Sequence, residues 1–318
     1  MCLVALAIDH HRRFPLVIAA NRDEHFKRPA ARLAWWTPES GGPAILAGRD
    51  IEAGGTWMGL TAEGRLALVT NVRDPARTDP TAPSRGRIVP DWLAGRERTD
   101  RFWMRTALSG YNAFNLVAFD FRQGECFYVS NDGRHPRRLE RGIHGLSNAS
   151  LDTPWPKVVA LKARLHDALQ EADSVDVLAT QLFDALADRS EAPDDALPHT
   201  GVPVDVERRL SAAFIRTPDG GYGTRCSTLV VTEKVNRHLV THVLERTFSA
   251  ANGVALLRRS TLKDWPPRWS VDPQGTPTPS AQEEVSESEL PAEGAAAVKR
   301  VRTLLKPDPM KRRRKAVA

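Results

Sequence analysis

Two short apolar runs open the chain, CLVALAID from Cys2 to Asp9 and PLVIAAN from Pro15 to Asn21, with only His10 to Phe14 between them. Runs of this length bounded by charged residues form buried strands joined by a tight connection. A buried strand needs cover on its faces, so this opening commits the chain to a layered fold. Further strand patterns follow in GGTWMGL (54–60) and RLALVTN (65–71), with a Glu63-Gly64 turn nearby, and at 113–121, 125–131, 227–232, 237–247 and 254–260. Between them lie helical patterns. Residues 155–171, opened by Thr153 and Pro154, place Val158, Leu161, Leu165 and Leu169 at helical spacing; 175–189 repeats the pattern, and 87–108 forms a third helical region. Strands at both ends and helices gathered between them predict a single α+β domain, because no segment remains to build a second core.

That domain is expected to span residues 1–270. Beyond Val271 the sequence DPQGTPTPSAQEEVSESELPAEG is rich in Pro, Ser and Glu and too poor in apolar residues to fold, so 271–318 reads as a disordered tail, acidic and then basic. Residues 299–318 carry nine Lys/Arg against one acid, which leaves residues 1–298 at a net −2 within the chain's +6. The folded body is therefore near neutral, and nucleic acid or an acidic surface is a partner only for the tail, where a solvated charged segment is the commoner outcome. The opening apolar run is too short to span a bilayer and no cationic segment precedes it, so the expected location is the cytoplasm. Three widely spaced cysteines, Cys2, Cys126 and Cys226, form no CxxC pair and are expected to be reduced thiols. No GxGxxG or P-loop is present. His238 and His242 are four apart but lie in a strand pattern without the Glu of a zinc-protease helix, so no metal site is expected.

Candidate chemistry begins at Met1-Cys2. Removal of the initiator Met leaves a cysteine whose thiol and α-amine share one Cα, and the amine, titrating near about 8, can accept the proton of a thiol that titrates near about 8.5. A small buried residue in an apolar strand is the plain alternative. At the end of the second strand, Asn21-Arg22-Asp23-Glu24 sets a polar cluster where side chains reach a pocket, or else forms a turn with a surface ion pair. Asn71 and Asn148 each follow a strand, where a cap or turn is the ordinary role. In GGTW, Gly54-Gly55 suits a tight turn, with Trp57 packing and secondarily forming a pocket wall.

Eight motifs, NRDE (21–24), AGRD (47–50), GGTWMGL (54–60), LVTN (68–71), YNAFNL (111–116), GLSNA (145–149), TPWPK (153–157) and YGTRCST (222–228), stand in the order and approximate spacing of the NRDE family, the transport-and-Golgi-organisation group. The resemblance runs from Cys2 to about residue 260. That family in turn resembles the N-terminal-nucleophile hydrolases, which implies a four-layer αββα fold. Similarity to the choloylglycine and penicillin V acylase branch implies a catalytic set of Cys2, Asp23, Asn71, Asn148 and Arg225. In that set Asp23 would accept from the Cys2 amine and Arg225 would favour the thiolate. Asn71 would donate to a developing oxyanion, and Asn148 to the amine or the substrate. Asn21, Arg22, Glu24 and Trp57 would contact substrate. The acylases place an Arg before the Asn-x-Asp, whereas here Arg22 lies inside it, which leaves open whether Arg22 faces the thiol or a substrate acid.

Two functions follow. One is an N-terminal-cysteine hydrolase or acyltransferase that cleaves a carbon–nitrogen amide through an acyl thioester on Cys2, without a required cofactor. The other is a non-catalytic small-molecule carrier on the same fold, with haem as the cargo proposed for the family, although no CxxCH attachment motif is present.

Overall fold

The computed structural model describes residues 2–95, 97–249 and 255–267, with two-residue strand pieces between 270 and 291. In chain order the first half comprises β1 (Cys2–Ile8), β2 (Leu16–His25), β3 (Ala30–Trp36), β4 (Ile45–Asp50), β5 (Met58–Thr61), β6 (Arg65–Asn71), α1 (Ile88–Ala94) and α2 (Thr99–Ala107). Next come β7 (Phe114–Asp120), β8 (Glu125–Ser130), β9 (Arg134–Arg138), β10 (Gly142–Leu146), α3 (Pro156–Glu171) and α4 (Val175–Leu186). The last are α5 (Val204–Arg209), β11 (Tyr222–Val235), β12 (His238–Thr247) and β13 (Leu256–Lys263).

The strands make two antiparallel sheets, one ordered β10-β1-β2-β11-β12-β13 and the other β3-β4-β5-β6-β7-β8-β9. Alternation along each strand sends neighbours to opposite faces, and three apolar layers result. Leu3, Ala5, Val17 and Ala19 pack with Leu161, Leu165, Leu178 and Leu182 of α3 and α4. Val4, Leu6, Ile18 and Ala20 meet Leu46, Leu60, Leu66 and Val117 of the second sheet. That sheet's other face, with Ala67, Val69 and Leu116, is covered by Ile88, Trp92 and Phe102 of α1 and α2. The fold is thus a four-layer αββα sandwich. No helix among the described residues is long and apolar enough to cross a membrane.

Several elements differ from the sequence pattern. The expected helix over 87–108 is two helices, broken after Ala94 where Gly95 is extended. The strand expected over 54–60 begins only at Met58, because Gly54 takes a φ of +68° and Gly55 turns the chain. A Cβ on Gly55 would lie 2.2 Å from the Gly86 carbonyl oxygen, so only glycine permits this approach. The strand expected from 227 starts at Tyr222, five residues earlier, with a bulge between Thr224 and Cys226. That expected over 254–260 runs from Leu256 to Lys263. The pattern did not announce β3, β4, β9, β10 or α5. The expected tail, 271–318, lies outside the described residues apart from the short pieces.

Candidate active site

Cys2 begins β1 and stands opposite Arg22 in the β1–β2 ladder, while Arg22 stands opposite Cys226 in the β2–β11 ladder. Opposed residues share a face. Val4 and Ala20, two residues along on the same face, belong to the core between the sheets, so Cys2, Arg22 and Cys226 point toward the end of that inter-sheet space. Asn21 and Asp23 have the other parity and point to the helical layer.

A cavity of about 500 Å³ opens at this end, lined by Cys2, Arg22, Asp23, Glu24, Trp57 and Asn71 among others. A larger one, about 880 Å³, lies at the opposite end of β1 and β2, beside Ile8, Leu16, Phe119 and Leu139, and holds none of the expected site residues.

Arg22 is 5% exposed. Its Nη2 donates to Asp50 Oδ2 at 3.1 Å and lies 3.8 Å from Glu24, and its guanidinium sits 4.5 Å from the centre of the Trp57 ring. Asp50 also accepts from Arg28 Nε at 2.7 Å. Burial pushes the Cys2 thiol above its ordinary value, opposed by the amino terminus and Arg22, with Asp23 and Glu24 adding to the rise. Burial thus favours the neutral thiol, and the cations that favour its ionisation are the amino terminus first and Arg22 second.

Asp23 is buried on the opposite face, where Oδ1 accepts from Thr224 Oγ1 at 2.7 Å. Burial raises its pKa, and the amino terminus and Lys157 are the main opposing charges. Lys157, 5% exposed, opens α3 and donates Nζ to Leu210 O at 2.8 Å. Burial holds its pKa down to about 8, against the pull of Asp23. A buried cation beside Asp23 was not among the expected site residues, although its spacing is readable: Lys157, Leu161 and Leu165 are four apart on one helical stripe.

Asn71 ends β6 and lines the cavity, on the strand parity of Ala67 and Val69. Asn148, 1% exposed, donates Nδ2 to the Asn71 carbonyl at 2.9 Å, and Ser147 Oγ donates to the Cys2 carbonyl at 2.9 Å. The segment after β10 thereby ties the ends of β1 and β6 together. Asn148 acts on the backbone of Asn71 and is not among the residues lining the cavity.

Two expected residues stand elsewhere. Arg225, at the β11 bulge, donates Nη1 to His25 O at 2.7 Å and Arg28 O at 2.8 Å and stacks on Phe26, so it clasps the turn between β2 and β3 and does not line the cavity. Asn21 donates Nδ2 to Leu186 O and Ala213 O, each at 2.8 Å, and accepts from Ser227 Oγ at 2.6 Å. Its parity sends it to the helical layer, where its amide is occupied in holding the end of α4. Away from the site, burial and Arg259 bring the pKa of His242 down to about 4, His238 bonds Asp264, and burial pushes the Cys126 thiol far up; beside the site, burial does the same to the Cys226 thiol.

The family profile described as Transport and Golgi organisation 2 matches residues 1–250. The chain belongs to this family. Among its relatives is the mouse Transport and Golgi organization 2 homolog, 32% identical over 257 residues, which cover 75% of this chain and 91% of the relative. The Drosophila melanogaster protein is 26% identical over 273 residues, covering 78% and 93%. Among solved structures, the Caenorhabditis elegans N-acylethanolamine-hydrolyzing acid amidase ortholog aligns at a TM-score of 0.44 and 10% identity, over 72% of this chain and 92% of that one.

In this member of the family the motifs supply both wall and scaffold. NRDE, AGRD, GGTW and LVTN supply Arg22, Asp50, Trp57 and Asn71 to the cavity. YNAFNL does both: Asn112 lines the cavity, and the buried Asn115 donates to Thr70 Oγ1 at 3.1 Å and Ala149 O at 2.9 Å and accepts from Tyr128 at 2.7 Å, which fixes the segment carrying Ser147 and Asn148. TPWPK supplies Lys157 and places the Trp155 ring 5.0 Å from the Arg73 guanidinium, itself paired with Glu207.

Proposed function

We propose that the protein is an N-terminal-cysteine hydrolase or acyltransferase acting on a carbon–nitrogen amide bond. The observation that carries this reading is that Cys2, Arg22, Asp23 and Asn71, from three strand ends, line one cavity. Removal of Met1 would put the α-amine at the end of β1, within the field of Asp23. A thiol that burial holds toward its neutral form suits a mechanism in which the amine takes the thiol proton as sulfur attacks the carbonyl carbon, so that no standing thiolate is needed. The tetrahedral oxyanion would draw on the Asn71 amide N–H. Collapse would return the proton to the departing amine and leave a Cys2 thioester, which water or an acceptor amine then cleaves.

The test is turnover of a panel of N-acyl amides and acyl esters by the full chain and by Cys2→Ala. Turnover lost in Cys2→Ala supports the assignment, and equal turnover in both contradicts it. A Soret band on the purified protein without any thioester would favour the haem-carrier reading instead.

A further inference from the structure

We infer that the Cys2 cavity selects substrates carrying a carboxylate near the scissile amide, and that Arg85 reads this group with Arg22 as its second donor. This rests on Cys2 being the nucleophile.

Arg85 lines the same cavity as Cys2. It begins a 3-10 turn, Arg85–Arg87, that is held from both sides: Gly86 N donates to Ser84 Oγ at 3.3 Å, and Gly86 O accepts from Thr56 N at 2.9 Å. The guanidinium donates Nη1 to Ala113 O at 3.0 Å and has no carboxylate within ion-pair distance among the described residues. Burial lowers its pKa, while the charges of Cys2 and Glu24 raise it, so it lies in the electrostatic field of the thiol.

The other charges of the cavity are answered within the protein. Arg28 is held by Asp50 and Glu52, and Asp79 accepts from Thr81 at 2.7 Å. Glu24 accepts from His25 N and faces Arg22. Arg22 is different on one side only: Nη2 goes to Asp50, but the buried Nη1 has no hydrogen-bond partner. A buried guanidinium N–H left without an acceptor is costly, and a ligand oxygen would relieve it. Two guanidinium groups with open N–H directions match the planar, bidentate acceptor geometry of a carboxylate. The neighbouring Glu24, Glu52 and Asp79 would repel a dianion such as a phosphomonoester, which favours a singly charged group.

Iodoacetate and iodoacetamide give a matched pair that differs in this one charge. In each reaction the sulfur displaces iodide, an S–C bond replacing C–I, and the thiol proton leaves to solvent. The rate constants at Cys2, read by peptide mass spectrometry on the full chain, give a ratio of iodoacetate to iodoacetamide. We expect Arg85→Gln to lower that ratio about tenfold, the loss of roughly one charge-assisted contact, with Arg85→Lys in between. A ratio unchanged in Arg85→Gln overturns the inference. As a check independent of any variant, N-acetylglycine should slow iodoacetamide labelling of the wild-type protein more than N-acetylglycinamide does; equal effects, or none, also overturn it. If Cys2 resists both iodo reagents in the wild type, the nucleophile reading itself falls.

Discussion

Cys2 and Arg22 face each other across the β1–β2 ladder, on the side turned toward the second sheet. The side-chain cation at the thiol therefore comes from the adjacent strand, and Arg225 serves the β2–β3 turn. Removing the Arg22 charge should raise the Cys2 pKa further, since Arg22 lowers it. The midpoint of the pH–rate profile for Cys2 alkylation should shift upward in Arg22→Gln and recover in Arg22→Lys. An unmoved midpoint would mean that Arg22 is screened from the thiol.

Lys157 gives a stability prediction with a definite sign. Its pKa is lowered from 10.5 to about 8 by burial. Below about pH 8 both the folded and unfolded chains hold the proton, and the cost of the buried charge is present in full, on the order of 3 kcal/mol. Between there and 10.5 the folded state gives up its proton first, so this group makes stability rise with pH. Urea unfolding at pH 7.5, 9 and 10.5, run on wild type and Lys157→Met, should give the wild type the steeper rise. Parallel curves would show that Lys157 does not titrate in this range.

Asn71 should matter for acyl transfer far more than for simple alkylation, because only acyl transfer develops an oxyanion. Losing one such donor typically costs about 100-fold or more. The ratio of Cys2 acylation by a p-nitrophenyl ester to alkylation by iodoacetamide is expected to fall by about that factor in Asn71→Ala. A constant ratio would remove Asn71 from the oxyanion site.

The outer layer depends on Arg65, which is 2% exposed, donates Nε to Asp120 at 3.0 Å and Nη1 to Trp92 O at 2.8 Å, and stacks on Trp92. Removing Arg65 leaves the Trp92 carbonyl without this donor and Asp120 with Arg122 alone, a cost of about 2 kcal/mol. Arg65→Met should lower the urea midpoint accordingly, and a loss below about 1 kcal/mol would contradict a structural role for the pair.

The sequence was most legible where a single period held. The stripe of Val158, Leu161, Leu165 and Leu169 marks α3, and the continuous apolar runs mark β1 and β2, because each packs a uniform surface. The AARLAWW of β3 is harder to read: it is an edge strand, mostly half-buried, and its register shifts between Ala31 and Ala34. The NRDE cluster could be placed at a strand end, but dividing it required parity, which sends Asn21 and Asp23 toward the helical layer and Arg22 toward the space between the sheets. The bulge that turns Arg225 toward His25 and Arg28 left no local mark. Lys157 was visible as a cation on an apolar stripe, but its charge partner, Asp23, is distant in sequence and meets it only through the fold.

The central claim is that Cys2, once exposed as the amino terminus, is the acylated residue. Intact-protein and peptide mass spectrometry after treatment with a thiol-directed acyl ester tests it directly. The account predicts a chain lacking Met1 that gains one acyl group on Cys2, with no adduct in Cys2→Ala and an unchanged adduct in Cys126→Ala. A retained Met1, or an acyl group that persists in Cys2→Ala, would contradict it.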